Sequence, residues 1–144
     1  MIEKINYKDT LLAIILRNEF EKPGITFLTP DDFSQQLAYM HHPPGKKIQP
    51  HVHNHIERHV HTTNEVLFIK KGKLRVDFFW KDQNYISSSI LSSGDTILLV
   101  DGGHGFEVLE DLIMIEVKQG PYIGDADKIR FEGVNISEIN KTKE

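Results

Sequence analysis

Apolar and polar positions in the second half of the chain form short blocks rather than a stripe with a 3.6-residue period. Within residues 73–80, for example, Leu, Val, Phe and Trp alternate with Lys, Arg and Asp. Each block ends in Gly, Asn, Asp or Ser, and blocks of this length with such ends are typical of β-strands. Turns recur roughly every 8–12 residues, as in sandwiches and barrels. The pattern predicts an all-β fold.

Strand boundaries follow from these blocks. The predicted strands are 11–16, 25–28, 33–40, 65–71, 73–80, 85–91, 96–100, 104–109 and 112–118. Gly72 separates two of them and predicts a hairpin with this glycine at its turn. The prolines and glycine of 42–46 predict a loop, because proline fixes φ and has no amide donor. After Gly120-Pro121 the chain turns polar, and we expect this tail to cross an outer face of the fold.

Composition limits the classes of protein to consider. The 144 residues correspond to a single domain, 1–144, that can bury roughly 70% of its unfolded surface. A net charge of −4 argues against nucleic acid as a partner. The absence of cysteine excludes thiolate chemistry, so any metal must bind nitrogen and oxygen donors. The apolar run 11–16 is too short to span a membrane, which leaves a cytoplasmic location and no membrane partner as the expectation.

Histidine is the unusual residue type. Seven of the eight histidines lie between His41 and His61, where 51/53, 53/55 and 59/61 form pairs with i, i+2 spacing. Such pairs point to one face of a strand, and neutral imidazole binds Fe, Ni, Mn, Zn or Co. Glu65 begins an apolar strand, where a carboxylate is costly unless it is paired or bound to metal. His104 follows a Gly-Gly turn and is a further candidate ligand.

These residues resemble the motifs of the cupin family. The family's first motif, G-x5-H-x-H-x(3,4)-E-x6-G, is similar to Gly45, His51, His53, Glu65 and Gly72, with an insertion after the second histidine. A second register uses 59 and 61 as the histidine pair, needs no insertion and lacks the leading glycine. We favour the first, because 59–65 on one continuous strand would spread its ligands over roughly 20 Å.

The second cupin motif is degenerate. It is similar to the stretch from Gly94 to His104, but Val100 takes the place of its proline and Val108 that of its asparagine. The resemblance covers about 45–118 and implies a double-stranded β-helix, or jelly-roll barrel, with extra N-terminal strands at 10–40 and a polar tail at 120–144. It also implies one divalent transition-metal ion in the barrel. The implied ligands are His51, His53, Glu65 and His104.

Cupins differ widely in activity, so the resemblance leaves two classes of function open. One is a metalloenzyme of the oxygenase, isomerase or sugar-modifying type that acts on a small polar molecule. The other is a non-catalytic protein that binds a small molecule or a metal. A general base near the metal would favour the enzyme, and the candidates are Tyr39, Glu57, Glu107 and Glu116. Apolar strands in excess of one small barrel's needs predict a homodimer.

Overall fold

Antiparallel strands dominate the computed structural model, which describes residues 1–139. The ten strands are β1 (Ile2–Tyr7), β2 (Thr10–Leu16), β3 (Gly24–Phe27), β4 (Ala38–His41), β5 (Glu65–Lys71), β6 (Lys73–Phe79), β7 (Tyr85–Ser92), β8 (Thr96–Leu99), β9 (Gly103–Val108) and β10 (Ile113–Lys118). A 3-10 turn (Gly124–Asp127) and one turn of helix, α1 (Ile136–Ile139), follow. The all-β prediction is confirmed, and the strands from β5 onward lie within a few residues of their predicted positions.

Three sheets contain these strands. The first has the order β1-β2-β8-β5-β10, the second is the hairpin β3-β4, and the third has the order β7-β6-β9. Within the described residues none of the three closes into a barrel. The five-stranded and three-stranded sheets share one hydrophobic core, to which β2, β5 and β8 contribute from one side and β6 and β7 from the other.

The alternation along β6 explains how this core forms. Leu74, Val76 and Phe78 are at most 1% exposed and point toward the five-stranded sheet. Arg75 and Asp77 occupy the opposite face, where the guanidinium Nε donates a hydrogen bond of 2.8 Å to a carboxylate oxygen. A single strand with period 2 therefore supplies both a core face and an ion-paired outer face.

The predicted hairpin at Gly72 is wrong. The strand β5 has its predicted bounds and β6 ends one residue earlier than predicted, but β5 pairs with β8 and β10, whereas β6 pairs with β7 and β9. Gly72 has a φ of +86°, and a Cβ there would overlap the carbonyl of Asp111. Since this single residue separates the strands, the chain turns a corner between sheets here instead of folding back on itself.

The N-terminal half differs more from its prediction. The strand predicted at 11–16 is confirmed as β2, but its partner β1 was not predicted. The strand predicted at 33–40 shrinks to β4, which pairs with β3. Leu28 and Leu37, at the end of this hairpin, belong to a second cluster with Ile14 and Leu98 on the outer face of the large sheet. The hairpin thus covers apolar surface that would otherwise face water.

The remaining parts of the chain are irregular. Residues 42–64 contain no strand or helix, in agreement with the predicted loop at 42–46. The segment ends at Asn64, whose side-chain amide donates a hydrogen bond of 2.7 Å to the carbonyl of Val100. The tail from 119 to 139 crosses one end of the sandwich. Between residues 1 and 139, no helix has the length and apolar character that crossing a membrane requires.

Candidate functional site

Glu65 is the first residue of β5 and points into the sandwich. The period of the strand puts it on the same face as Leu67 and Ile69, which are at most 1% exposed. Its own side chain is 12% exposed, and its register partner on β8 is Leu99. Because Glu65 is largely buried, its carboxylate needs a partner in the folded chain, as the sequence argument assumed.

That partner is His104. It lies opposite Phe78 in the register of β9 with β6, so that its ring projects from the three-stranded sheet toward the five-stranded one. His104 Nε2 lies 3.2 Å from a carboxylate oxygen of Glu65. Two residues 39 positions apart, each on a different sheet, thus meet at one end of the sandwich.

Electrostatics favour an ionised Glu65. The contact with His104 lowers the pKa of the Glu65 carboxyl from its ordinary value of 4.5. Burial opposes this shift, and the positive charges of Lys118 and Lys128 add to it. At neutral pH the group is a carboxylate, which is the form that can accept a proton or bind a cation.

A cavity of about 660 Å³ opens above this pair. Its volume lies within the range of roughly 300–1,000 Å³ that is usual for small-molecule sites. The sandwich contributes Glu65, Phe79, Val100, Asp101, Gly102, Gly103, His104 and Gly105 to its lining; the irregular segment contributes His61, Thr62 and Thr63; and the tail contributes Asp127, Lys128, Ile129, Arg130, Phe131 and Gly133.

The tail forms one wall of this cavity, and Phe131 and Asp127 attach this part of it to the rest of the fold. The ring of Phe131 packs edge-to-face on Phe79 with 5.1 Å between centroids. The hydroxyl of Thr63 donates a hydrogen bond of 2.7 Å to Asp127. Gly103 lies under the Phe131 ring, where a Cβ would come within 3.2 Å of it.

The structure separates the four predicted metal ligands into two groups. Glu65 and His104 lie together, whereas His51 and His53 are exposed on the irregular segment and do not line the cavity. The rings of His51 and His53 are 5.2 Å apart, and His51 Nδ1 lies 3.0 Å from the carbonyl oxygen of Gln49. His61, from the second register, does line the cavity.

One premise behind the choice of register is wrong. The distance argument against the second register treated 59–65 as a single strand, but β5 begins only at Glu65. The irregular backbone before it brings His61 to the cavity, while His59 Nε2 lies 3.3 Å from Glu57 at the surface. The second register therefore contributes one histidine to this end of the sandwich rather than two.

None of the candidate general bases lines the cavity. Glu107 lies 2.5 Å from Arg75, Glu116 lies 3.1 Å from Lys118, and the ring of Tyr39 packs on Phe20. Glu57 contacts His59, as described above. The titratable side chains at the cavity are instead Glu65, His104, His61, Asp101, Asp127, Lys128 and Arg130.

The sequence analysis missed the contribution of the tail. Residues 127–133 are mostly polar and suggested an exposed crossing of an outer face, yet they wall the cavity. The available signal was Phe131, a large aromatic residue in a polar stretch.

Comparison with protein-family models, with curated proteins and with solved structures finds no match to this chain. Over residues 1–139, no cluster of three or more His, Asp or Glu side chains is arranged to hold a metal ion. The functional argument therefore depends on the geometry of the cavity and on the chemistry of its lining.

Proposed function

We propose that this protein binds a small polar molecule together with one divalent transition-metal ion in the cavity above Glu65 and His104. The observation that carries the proposal is the contact between these two side chains, which reach from different sheets to the base of the 660 Å³ cavity. An ionised carboxylate and an imidazole in a largely buried position are donors suited to Fe, Ni, Mn, Zn or Co.

The distance within the pair fits this role. Nitrogen and oxygen donors lie about 2.1 Å from such an ion, so two donors at a right angle are about 3 Å apart. Glu65 and His104 are 3.2 Å apart in the ion's absence. They can therefore both turn toward one ion with little rearrangement of β5 or β9.

The further ligands would come from the histidine-rich segment. His61 already lines the cavity and is the nearest candidate. His51 and His53, the pair of the first register, would reach it only if residues 42–64 moved inward. That segment is exposed and has no regular structure, so few packed contacts oppose such a movement.

A bound ion would act as a Lewis acid on the small molecule. The chain itself would hold the molecule between the Phe79–Phe131 wall and the Glu65–His104 base. We favour a metalloenzyme of the oxygenase, isomerase or sugar-modifying type. A non-catalytic binding protein with the same cavity is the alternative.

We also propose that the fold is a cupin-like jelly roll. Its support is the passage of the chain between sheets at Gly72 and the shared core of the five-stranded and three-stranded sheets. In such an arrangement the cavity lies between the two sheets, at the end where Glu65 and His104 project.

The test is metal stoichiometry in protein purified without a histidine tag. We expect one ion per chain in the wild type and none in a Glu65→Gln, His104→Ala double variant. His61→Ala and the pair His51→Ala, His53→Ala then identify the remaining ligands, and His55→Ala is the matched control.

Thermal unfolding separates a built site from adventitious capture by exposed histidines. An ion bound only to the folded state raises stability by RT ln(1 + [L]/Kd), about 2.7 kcal/mol at a hundredfold excess over Kd. The gain should shrink below pH ~6, because protons compete for the imidazole. The metal proposal would be contradicted if the Glu65→Gln, His104→Ala variant still bound one ion per chain. It would also be contradicted if metal did not stabilise the wild type at pH 7.5.

The predicted homodimer is a further proposal, with a second copy meeting β10. This strand is an edge strand, and residues 1–139 provide no backbone partner for its free side. Ile115 and Val117 are half exposed there. Antiparallel pairing about Val117 would put Glu116 opposite Lys118 of the other copy. Light scattering should show a dimer that Ile115→Lys dissociates; a monomeric wild type would contradict it.

A further inference from the structure

The acidic side chains around the main cavity already have ion-pair or hydrogen-bond partners, and the basic ones are less fully paired. Its three carboxylates all have partners, since Glu65 contacts His104, Asp101 lies 2.9 Å from Lys81, and Asp127 accepts the Thr63 hydroxyl. A carboxylate that is already paired offers less to a cationic ligand than a free one does.

The basic side chains at this cavity are paired more weakly or not at all. Arg130 lies 2.9 Å from Asp125 in an exposed pair. Lys128 lines the cavity, but no carboxylate in residues 1–139 lies within ion-pair distance of its ammonium group. It also lines the adjoining cavity of about 370 Å³, together with Lys118 and Arg130. Within residues 1–139, the one charged side chain at the main cavity with no ion-pair or hydrogen-bond partner is therefore positive.

We propose that Lys128, with Arg130 beside it, is an anion subsite that binds a carboxylate or phosphate group of the cavity's ligand. The inference builds on the proposed function and names the chemical class of the small molecule. An exposed pair such as Arg130–Asp125 contributes little to stability, so Arg130 can exchange its partner for a ligand at small cost. Phosphate and carboxylate are the groups that lysine and arginine bind best together.

The rest of the cavity defines the remainder of this ligand. Phe79 and Phe131 give it an apolar wall, and the hydroxyl groups of Thr62 and Thr63 give it polar atoms near the tail. The ligand class that fits is a small acid or phosphate ester with an apolar or planar part. The anionic end binds at the tail, and the opposite end lies toward Glu65 and His104.

Binding of inorganic phosphate and of acetate to metal-free protein tests the subsite without any contribution from a bound ion. Amide shifts in NMR spectra give each Kd at constant ionic strength, with chloride as the reference anion. Lys128→Gln should raise the Kd of the tighter anion about tenfold, the loss of one charge-assisted hydrogen bond. Lys22→Gln, a lysine outside both cavities, should change it less than twofold.

Glu65→Gln separates the two proposals. It should abolish metal binding, yet tighten anion binding, because it removes a negative charge whose field reaches Lys128. Wild-type protein that binds no stoichiometric metal ion, yet whose phosphate affinity depends on Lys128, would contradict the metal proposal and keep the subsite. Equal Kd values in wild type and Lys128→Gln, or equal losses in Lys128→Gln and Lys22→Gln, would overturn the subsite. The anion with the lower Kd identifies phosphate or carboxylate as the group recognised.

Discussion

Two regions of the molecule carry histidine and carboxylate side chains, and they are built in opposite ways. Glu65 and His104 project from strands of two sheets that share a core, and they lie 3.2 Å apart. His51 and His53 lie on the irregular stretch 42–64, where nearly every residue is exposed. The first region positions its donors before any ligand arrives, whereas the second has only local contacts to hold its rings.

This contrast shows that the number of histidines in a region does not decide whether they form a site. The stretch between His41 and His61 holds seven of the eight histidines, yet only His61 reaches the cavity. Donor atoms become a site when packing fixes them, since the cost of ordering a flexible segment is otherwise taken from the binding free energy. The packed pair and the exposed histidines should therefore respond differently to substitution.

The largest difference should appear in stability. Phe78 is 1% exposed and lies opposite His104, whereas Ile56, in the irregular segment, is 59% exposed. Phe78→Ala should lower the free energy of unfolding by about 3–5 kcal/mol, and Ile56→Ala by less than about 0.5 kcal/mol. Urea unfolding of the metal-free protein measures both. Similar losses in the two variants would mean that residues 42–64 pack as firmly as the core.

Two glycines with positive φ extend the comparison to the backbone. Gly72 has a φ of +86° at the corner between sheets, and Gly45 has +82° in the irregular segment. Both Ala variants carry the strain of that conformation, but only at Gly72 does a Cβ meet neighbouring backbone, that of Asp111. We expect losses of about 2–4 kcal/mol for Gly72→Ala and about 1 kcal/mol for Gly45→Ala, measured in urea. Equal losses would contradict the close approach.

Local pattern predicted the strands well and their partners poorly. The alternation from Lys73 to Phe79 marks β6 because side-chain period is a local property. Which strand lies beside it depends on contacts between distant residues, and the single residue Gly72 was misread as a hairpin. The strand β1 was missed because its apolar residues do not alternate with its polar ones, since Glu3 and Lys4 are adjacent and the register shifts after Ile5.

The strand residues of the candidate site could be predicted from the sequence, but its tail residues could not, for the same reason. Glu65 could be found because a carboxylate is out of place in an apolar strand, and His104 because a Gly-Gly turn precedes it. For the tail the local signal was weaker, because Phe131 stands out as an aromatic residue in a polar stretch but the sequence does not say which surface its ring covers. The tail lies there through tertiary contacts, such as Phe131 with Phe79.

A smaller effect is expected at the packed pair itself. In metal-free protein Glu65→Gln should cost about 1–2 kcal/mol at pH 5.5, because a largely buried carboxylate loses its charged contact with His104. The folded pKa of Glu65 lies below 4.5, so its contribution is present above that pH and is lost as pH falls through the folded value. The difference between the unfolding free energies of wild type and variant should therefore shrink as the pH falls below 4.5. A gap that does not narrow between pH 5.5 and pH 3 would mean that the charge is not its source.

The smallest effect should come from the exposed histidines. With metal removed, the double variant His51→Ala, His53→Ala should leave the free energy of unfolding within about 0.5 kcal/mol of wild type, because both rings are exposed. The same variant with stoichiometric metal shows whether the segment moves. If His51 and His53 complete the site, the stabilisation by metal falls in the variant; if His61 does, it is unchanged. A large loss in the metal-free variant would instead show that these rings pack against the fold without any ion, and the contrast between the two regions would fail.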